Sequence, residues 1–387
     1  MKRILLIVPS NKGTMAIRAL DLQDALLKEG HDVRVAITNR KISDGHNFKF
    51  VTFYSLNDNL VLKNIIRFFW LRKIKKTFRP DISISVLNCC SRTSVLSGGK
   101  DIKIGQFRAP VEQKAGRIND ILDRLSFYLF FGRLDKLYCV SKEVENSIKR
   151  NFKHIKNEKI ETVYNLFNKE KIIVLSNYKT SAEINPSSFT FASVGRIERI
   201  KGQERIIRAL SLFPTQLRRK VKLIFIGETN ITYNNQNYYQ SLLDLITELK
   251  LEEQVLFVGH QDNPYSYLAK SDCFILSSYE EGLPGSLIEA LILKKPVVST
   301  NCSLGVWEIM DAQDQYDNAL DTWFKTECGY ITSNLSKTKD DEFSKEKDSR
   351  NLSQVMRLVM DNPSDSSYTW TNKFDAKDII DKFVNPL

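Results

Sequence analysis

The chain has 387 residues, 42% of them hydrophobic and 27% charged, with a formal net charge of +11. That length suits two domains of ordinary size better than one core, and the apolar-to-charged balance excludes a disordered chain. Residues 1–175 hold 33 Lys and Arg against 17 Asp and Glu, an excess of +16 that turns into −5 over the remainder, so the first half favours an anionic surface or ligand.

In chain order, the opening MKRILLIVPSNKG has two basic residues and a short apolar run but no small-residue cleavage site, and reads as a first strand, not a signal peptide. A helix over 16–30 and a strand over 32–37 follow. The segment 60–79, LVLKNIIRFFWLRKIKKTFR, predicts a basic amphipathic helix: Leu62, Ile65, Ile66 and Phe69 share one face, with Lys63, Arg67, Arg72, Lys73, Lys75 and Lys76 around it. It suits either a core helix with a solvated basic flank or an anionic bilayer surface. Strands over 82–87, 102–107 and 137–141 complete a βαβ rhythm that argues a parallel sheet covered on both faces. The most apolar run, 125–131, is short and flanked by Arg124 and Arg133, well below the roughly 20 residues of a membrane-spanning helix.

The polar stretch 176–188 reads as a linker. The rhythm then resumes: strand 189–195, helix 203–213, strand 221–227, helix 238–250, strand 255–259, helix 265–270 and strand 273–278. Domains are expected over 1–175 and 186–367, with 368–387 ending in an amphipathic helix that packs on one of them. Two doubly wound α/β domains facing each other make a cleft, and ligands of such sheets bind beyond the carboxyl ends of strands. The six cysteines form no CxxC pair and the four histidines are scattered, which points to reduced thiols in a cytoplasm and to no metal site.

Two loops carry the chemistry. In 195-GRIERIKGQ-203 a strand runs into a helix, Gly195 lets the backbone turn, and Arg196 and Lys201 project where a helix N-terminus already favours an anion. They are either two solvated cations or a clamp for a diphosphate. The loop is neither GxxxxGK[ST] nor GxGxxG, and 9-PSNKGT-14 after the first strand offers one glycine, which disfavours NAD. Gly13 there either allows close backbone approach to a phosphate or sugar or makes an ordinary turn. The second loop lies in 280-EEGLPGSLIEALILKKPVVST-300. Here 286-SLIE-289 fits a capping box, with Ser286 as N-cap and Lys294 and Lys295 in the last turn. In the alternative, the amides of Ser286 and Leu287 donate to phosphates, Glu289 accepts from vicinal ribose hydroxyls, and Glu281 reaches the sugar beyond the diphosphate.

The pattern from GRIERIKG through VGHQDNPYSYLAKSDCFILSSYEEGLPGSLIEALILKKPVVSTNCSLGVWEI closely resembles family-4 retaining glycosyltransferases of the GT-B fold. Glu281 and Glu289 match that family's Glu-x7-Glu motif. The resemblance covers the second domain and extends more weakly to the first, through 137-LYCVSKEV-144 and 163-VYNLFN-168. It implies that His260 and Gln261 make backbone contacts to the base, against the alternative of an ordinary loop. Residues 301-NCSLGVWEI-309 look like bacterial enzymes of capsule, O-antigen or lipid-linked glycan synthesis. Many members carry a first-domain histidine near the acceptor; 104-IGQFRAP-110 has none, and Arg108 is the candidate in its place, or a structural arginine.

What the resemblance implies is sugar transfer with retention from a nucleotide-diphosphate donor, of UDP type, to a glycan or lipid-linked acceptor, with no cofactor and no tightly bound metal. Arg196, Lys201 and the helix amides would stabilise the leaving diphosphate while Glu281 orients the sugar. The expected partners are donor and acceptor, not nucleic acid, in the cytoplasm; an anionic membrane surface at the inner face of the cytoplasmic membrane is the alternative setting that the basic first half offers. A nucleotide-sugar epimerase, a phosphorylase and a non-catalytic binding protein are the alternatives.

Overall fold

A computed structural model describes residues 1–39, 46–53, 63–110, 128–180, 187–229, 233–337, 341–362, 374 and 376–387. Two compact units divide the chain, Met1–Phe167 with Thr371–Leu387, and Asn168–Trp370. The division comes ahead of the expected boundary at 175 because the helix Lys169–Ser176 packs on the second unit, where Asn263 Nδ2 donates to Leu175 O at 2.8 Å.

The first unit holds seven strands: β1 Arg3–Val8, β2 Asp32–Ile37, β3 Val51–Phe53, β4 Ile82–Val86, β5 Ile102–Phe107, β6 Lys136–Cys139 and β7 Ile160–Thr162. Their order is β3-β2-β1-β4-β5-β6-β7 and every pairing is parallel. A parallel sheet is covered on both faces, which is why β1 after Arg3 and the whole of β4 are apolar or small, and are buried from Ile4 and Ile82 onward. On one face the helix Thr14–Lys28 places Ala19, Leu22 and Leu26 against Ile4, Leu6 and Val33, and the C-terminal helix Ala376–Val384 closes the same cluster with Ile379, Ile380 and Phe383. Tyr138 Oη donates to Lys382 O at 2.7 Å, tying that helix to β6. On the other face Leu71 and Phe78 of the helix Lys63–Phe78 meet Leu5, Ile7 and Cys90.

That helix differs from expectation. Leu62 and the side chain of Ile65 lie outside the described residues, Ile66 is half-buried and Phe69 is 61% exposed. The inward stripe is Leu71, Lys75 and Phe78. Lys75 is buried because Nζ meets Asp101 Oδ2 at 2.8 Å and donates to Ser94 O at 3.1 Å and Gly98 O at 3.3 Å. A buried ammonium needs such partners, and Lys75 is therefore no part of a basic surface. Phe69, Arg72, Lys73 and Lys76 form the exposed face. Among the described residues no helix is long and apolar enough to cross a membrane.

The second unit repeats the plan with β8 Phe189–Val194, β9 Val221–Ile226, β10 Val255–Phe257, β11 Cys273–Leu276, β12 Val297–Thr300, β13 Trp323–Thr326 and β14 Gly329–Thr332. The order is β10-β9-β8-β11-β12-β14-β13, parallel except for the edge pair β13/β14. The helix Glu342–Asp361 lays Leu352, Val355, Met356 and Val359 into the cluster of Ile206, Ile207 and Leu210 from the helix Gln203–Ser211. Both sheets are doubly wound. The strand order reverses between β1 and β4 in the first and between β8 and β11 in the second, the points where open α/β sheets leave a crevice.

Candidate functional site

The loops that leave β8 and β11 sit side by side at the second unit's reversal point. The β8 loop ends in a short 3-10 turn, Arg199–Lys201, and Gly202 at φ +63 begins the helix Gln203–Ser211. A Cβ on Gly202 would stand 2.3 Å from Ser277 O, so only glycine lets the β8 loop lie against the end of β11. Two further bonds fix the register: Tyr279 N donates to Ile200 O at 2.8 Å, and Ser277 Oγ to Lys201 O at 2.8 Å.

This stitching brings together residues 80 positions apart: Lys201 Nζ lies 2.6 Å from Glu281 Oε1. Ser278 Oγ donates to the same oxygen at 2.8 Å. The two charged side chains keep 23% and 16% of their exposure, so the pair faces outward from the crevice floor. Among the described residues both contacts fall on Oε1, which leaves Oε2 for a hydroxyl. An ammonium has three donors, and Glu281 uses one. Cys302, fully buried nearby, has its thiol pushed up to about 12 by burial first and by the Glu281 charge second, so it stays protonated.

The helix Gly285–Ile292 follows with Pro284 at the N-cap and no side-chain cap bond. The capping-box alternative therefore fails: Gly285 is already helical, Ser286 is inside the first turn, and Glu289 is buried one turn further in. The first-turn amides of Ser286 and Leu287 precede any intrahelical acceptor and carry the positive end of the helix dipole. Lys294 and Lys295 also lie past the helix end, Lys294 at φ +55 and Lys295 Nζ donating to Ala269 O at 2.6 Å. Glu289 Oε1 accepts from Tyr265 Oη at 3.3 Å.

Arg196 takes a different direction from Lys201. Its guanidinium is 58% exposed and pairs with Glu198 at 2.7 Å, while Gly195 N donates to Ile226 O at 3.0 Å. His260 and Gln261 follow Gly259 beyond β10. His260 is exposed and lies 3.3 Å from Asp262, and Gln261 Nε2 donates to Val258 O at 2.7 Å. In the first unit Gly13 caps the helix Thr14–Lys28 at φ +86, and its carbonyl accepts from Ala16 N at 3.0 Å. A side chain there would meet nothing within 4 Å, so the backbone angle, not space, calls for glycine. Arg108 follows β5 half-buried; burial, and then the Arg18 charge, push its guanidinium down to about 10.

Sequence reasoning missed Ser278, Tyr265 and a buried arginine, Arg205. Ser278 was findable, since it stands at the carboxyl end of a strand. Arg205 left a fainter signal, a charge on the apolar face of 203-QERIIRALS-211. Among the described residues no group of three or more His, Cys, Asp or Glu could hold a metal ion.

The chain matches two family models: Glycosyltransferase Family 4 over residues 15–171 and Glycosyl transferases group 1 over residues 176–316. It is 29% identical over 306 residues to an uncharacterized glycosyltransferase of Methanocaldococcus jannaschii, covering 75% of this chain and 73% of that one. Over 191 residues it is 32% identical to the Campylobacter jejuni N-acetylgalactosamine-N,N'-diacetylbacillosaminyl-diphospho-undecaprenol 4-alpha-N-acetylgalactosaminyltransferase, spanning 49% of this chain and 48% of that one. The structure of Anabaena HepE in complex with UDP and glucose superposes over 100% of this chain and 99% of that one, with a TM-score of 0.71 at 14% identity.

Proposed function

The chain belongs to the family-4 glycosyltransferases, whose enzymes transfer a sugar from a nucleotide sugar, and from that premise we propose that it acts with retention from a UDP-linked donor onto a lipid-linked or glycan acceptor in surface polysaccharide synthesis. The observation that carries the reading is the Lys201–Glu281 pair, 2.6 Å apart at the reversal point of the second sheet and followed by a helix N-terminus. The UDP in the HepE complex supports a uridine donor, and the diphospho-undecaprenol in the Campylobacter enzyme's name supports a lipid-linked acceptor.

Lys201 and the Ser286 and Leu287 amides bind the diphosphate, and Arg196 swings from Glu198 to join them. Glu289, steadied by Tyr265, accepts from the ribose hydroxyls, and Gly195, His260 and Gln261 line the nucleotide. Glu281 holds a sugar hydroxyl through Oε2. In the reaction the bond from the anomeric carbon to the diphosphate oxygen breaks while the acceptor oxygen bonds to the same face. The acceptor's proton passes to the departing phosphate oxygen. Fixed cations and amides offset the charge that develops on the diphosphate, so the reaction proceeds without a resident metal. In the first unit, Gly13 and Arg108 line the acceptor side.

The deciding experiment is turnover of a panel of nucleotide sugars with and without membrane extract. Transfer that depends on extract, with the anomeric configuration retained, supports the reading. Binding of a nucleotide sugar without turnover in either condition refutes it in favour of a binding protein, and inversion of another ring carbon in favour of an epimerase.

A further inference from the structure

Behind the Lys201–Glu281 pair lies a buried charge network that contacts neither side chain. Arg205, 3% exposed, points from the first turn of the helix Gln203–Ser211 toward the end of β11. Its Nη1 donates to Ser277 O at 3.4 Å, and Nη2 donates to Asn334 Oδ1 at 2.8 Å and to Ser336 Oγ. The guanidinium lies 3.6 Å from the centre of the Tyr279 ring. Asp348, equally buried, stands 3.5 Å from Nη2 and accepts from Ser333 Oγ at 2.6 Å, Leu335 N at 3.0 Å and Ser336 N at 2.9 Å. Asn334 Nδ2 in turn donates to Tyr279 O at 2.9 Å.

The network holds residues 277 and 279 from two sides and so brackets Ser278. Ser277 and Tyr279 are the residues that bind the backbone of Ile200 and Lys201, and Ser278 is the residue that bonds Glu281. A buried ion pair of this kind is poor value as a stabiliser, because desolvation of two charges cancels most of their attraction, and its documented use is to enforce one arrangement over others. The planar fork and the stacked face of an arginine fix direction as well as charge.

We propose that Arg205, oriented by Asp348, is a positioning residue that holds Lys201 and Glu281 in the geometry that receives the diphosphate and its sugar. The inference rests on the donor-site reading above. Arg205 itself touches no substrate and acts through the 277–279 backbone.

Coupling between Arg205 and Lys201 tests it, read in ligand binding, which needs no turnover. Calorimetry measures the affinity of UDP, ADP, GDP and dTDP, and of the matching nucleosides, for the parent chain, Arg205→Met, Lys201→Ala and the double variant. The expected result is a roughly 10-fold weaker diphosphate affinity in Arg205→Met, an unchanged nucleoside affinity, and no further loss when the change is added to Lys201→Ala. Losses that multiply in the double variant, or an equal loss for nucleoside and diphosphate, overturn it. Should Arg205→Met fail to fold, Asp348→Asn and Arg205→Lys give the same pattern in milder form, and parental diphosphate affinity in folded Arg205→Lys also overturns it. Binding of none of the four diphosphates by the parent chain removes the donor site and this inference with it. Diphosphate binding without sugar transfer removes the transferase reading alone.

Discussion

Replacing Lys201 by alanine separates a structural ion pair from a leaving-group stabiliser, because the two roles predict different magnitudes. As an ion pair, Lys201 and Glu281 keep 23% and 16% of their side-chain exposure, so solvent screens the attraction and the pair contributes about 1 kcal/mol at most. In a unit of this size that is a shift of about 2–4 °C in Tm. As a donor to the departing diphosphate, the same ammonium accounts for about 2.7–4 kcal/mol of the barrier, a 100- to 1,000-fold loss of kcat. A charge-assisted hydrogen bond to the bound diphosphate adds about 1.5–3 kcal/mol, roughly 10- to 150-fold in Kd.

The assay therefore has three arms: thermal unfolding, kcat at saturating donor, and calorimetric affinity for the nucleoside diphosphate and the plain nucleoside. Lys201→Ala is expected to melt within a few degrees of the parent, to lose kcat by more than about 100-fold, and to weaken the diphosphate but not the nucleoside. A folded variant with kcat within tenfold of the parent refutes the assignment. So does an equal loss of affinity for diphosphate and nucleoside, which would place the lysine's role in the fold.

Gly202→Ala forces a Cβ to 2.3 Å from Ser277 O at a left-handed residue; the strand end must shift, and kcat is expected to fall at least tenfold with a moderate loss of Tm, whereas parental kcat contradicts the close approach. Lys75→Met strands the buried Asp101 carboxylate beside Lys103 alone, 3.5 Å away, and is expected to cost about 3 kcal/mol in thermal unfolding, partly recovered in Lys75→Met/Asp101→Leu. Cys89 is exposed while the other five cysteines are buried. Its thiol is drawn down to about 6 by the Cys90 thiol first and by Arg92 and Arg67 after the opposing effect of burial. Iodoacetamide labelling read by mass spectrometry should therefore single out Cys89, with a rate that rises through pH 6 and levels off by pH 7; a rise centred near pH 9 refutes the lowered value. Replacing Arg72, Lys73 and Lys76 with glutamine should abolish sedimentation with anionic vesicles at low salt, since each such cation near the surface contributes about 1 kcal/mol; equal recovery of parent and variant shows the basic face to serve something else.

The parts of the fold that were legible in the sequence are those where a long apolar run leaves one reading. The strands over 32–37 and 102–107 fall where their runs fall, because Val33, Val35, Ala36 and Ile37 in the first and Ile104 and Phe107 in the second are buried apolar positions that outweigh the single cation in each run. The short strands β3, β7, β13 and β14 were not legible: runs of three or four residues carry no period. Lys75 was misplaced on the basic face for a related reason. Its identity as a buried ion depends on Asp101, 26 residues later across a helix, and a lysine in a basic run looks the same whether solvated or paired.

The candidate site divides along the same line. Lys201 and Glu281 could be named because each closes a strand–loop–helix unit, and a doubly wound sheet brings the loops of β8 and β11 together by topology alone. The direction of Arg196 toward Glu198, two residues away, is a local rotamer choice that no pattern encodes. The 277–279 network is the opposite case, built by Arg205, Asn334 and Asp348 from three separate elements. Its position explains why so costly an arrangement sits there. A loop of glycines and serines at a strand end has little side-chain packing of its own, and a carboxylate that must meet an ammonium within 3 Å needs its backbone fixed from behind. Apolar packing against one face could not do this, because the free carbonyls of 277 and 279 would remain unpaired in the core. An arginine on the neighbouring helix satisfies the first directly and the second through Asn334, so the same side chain that burdens the core with a charge is the one that sets the register of the crevice.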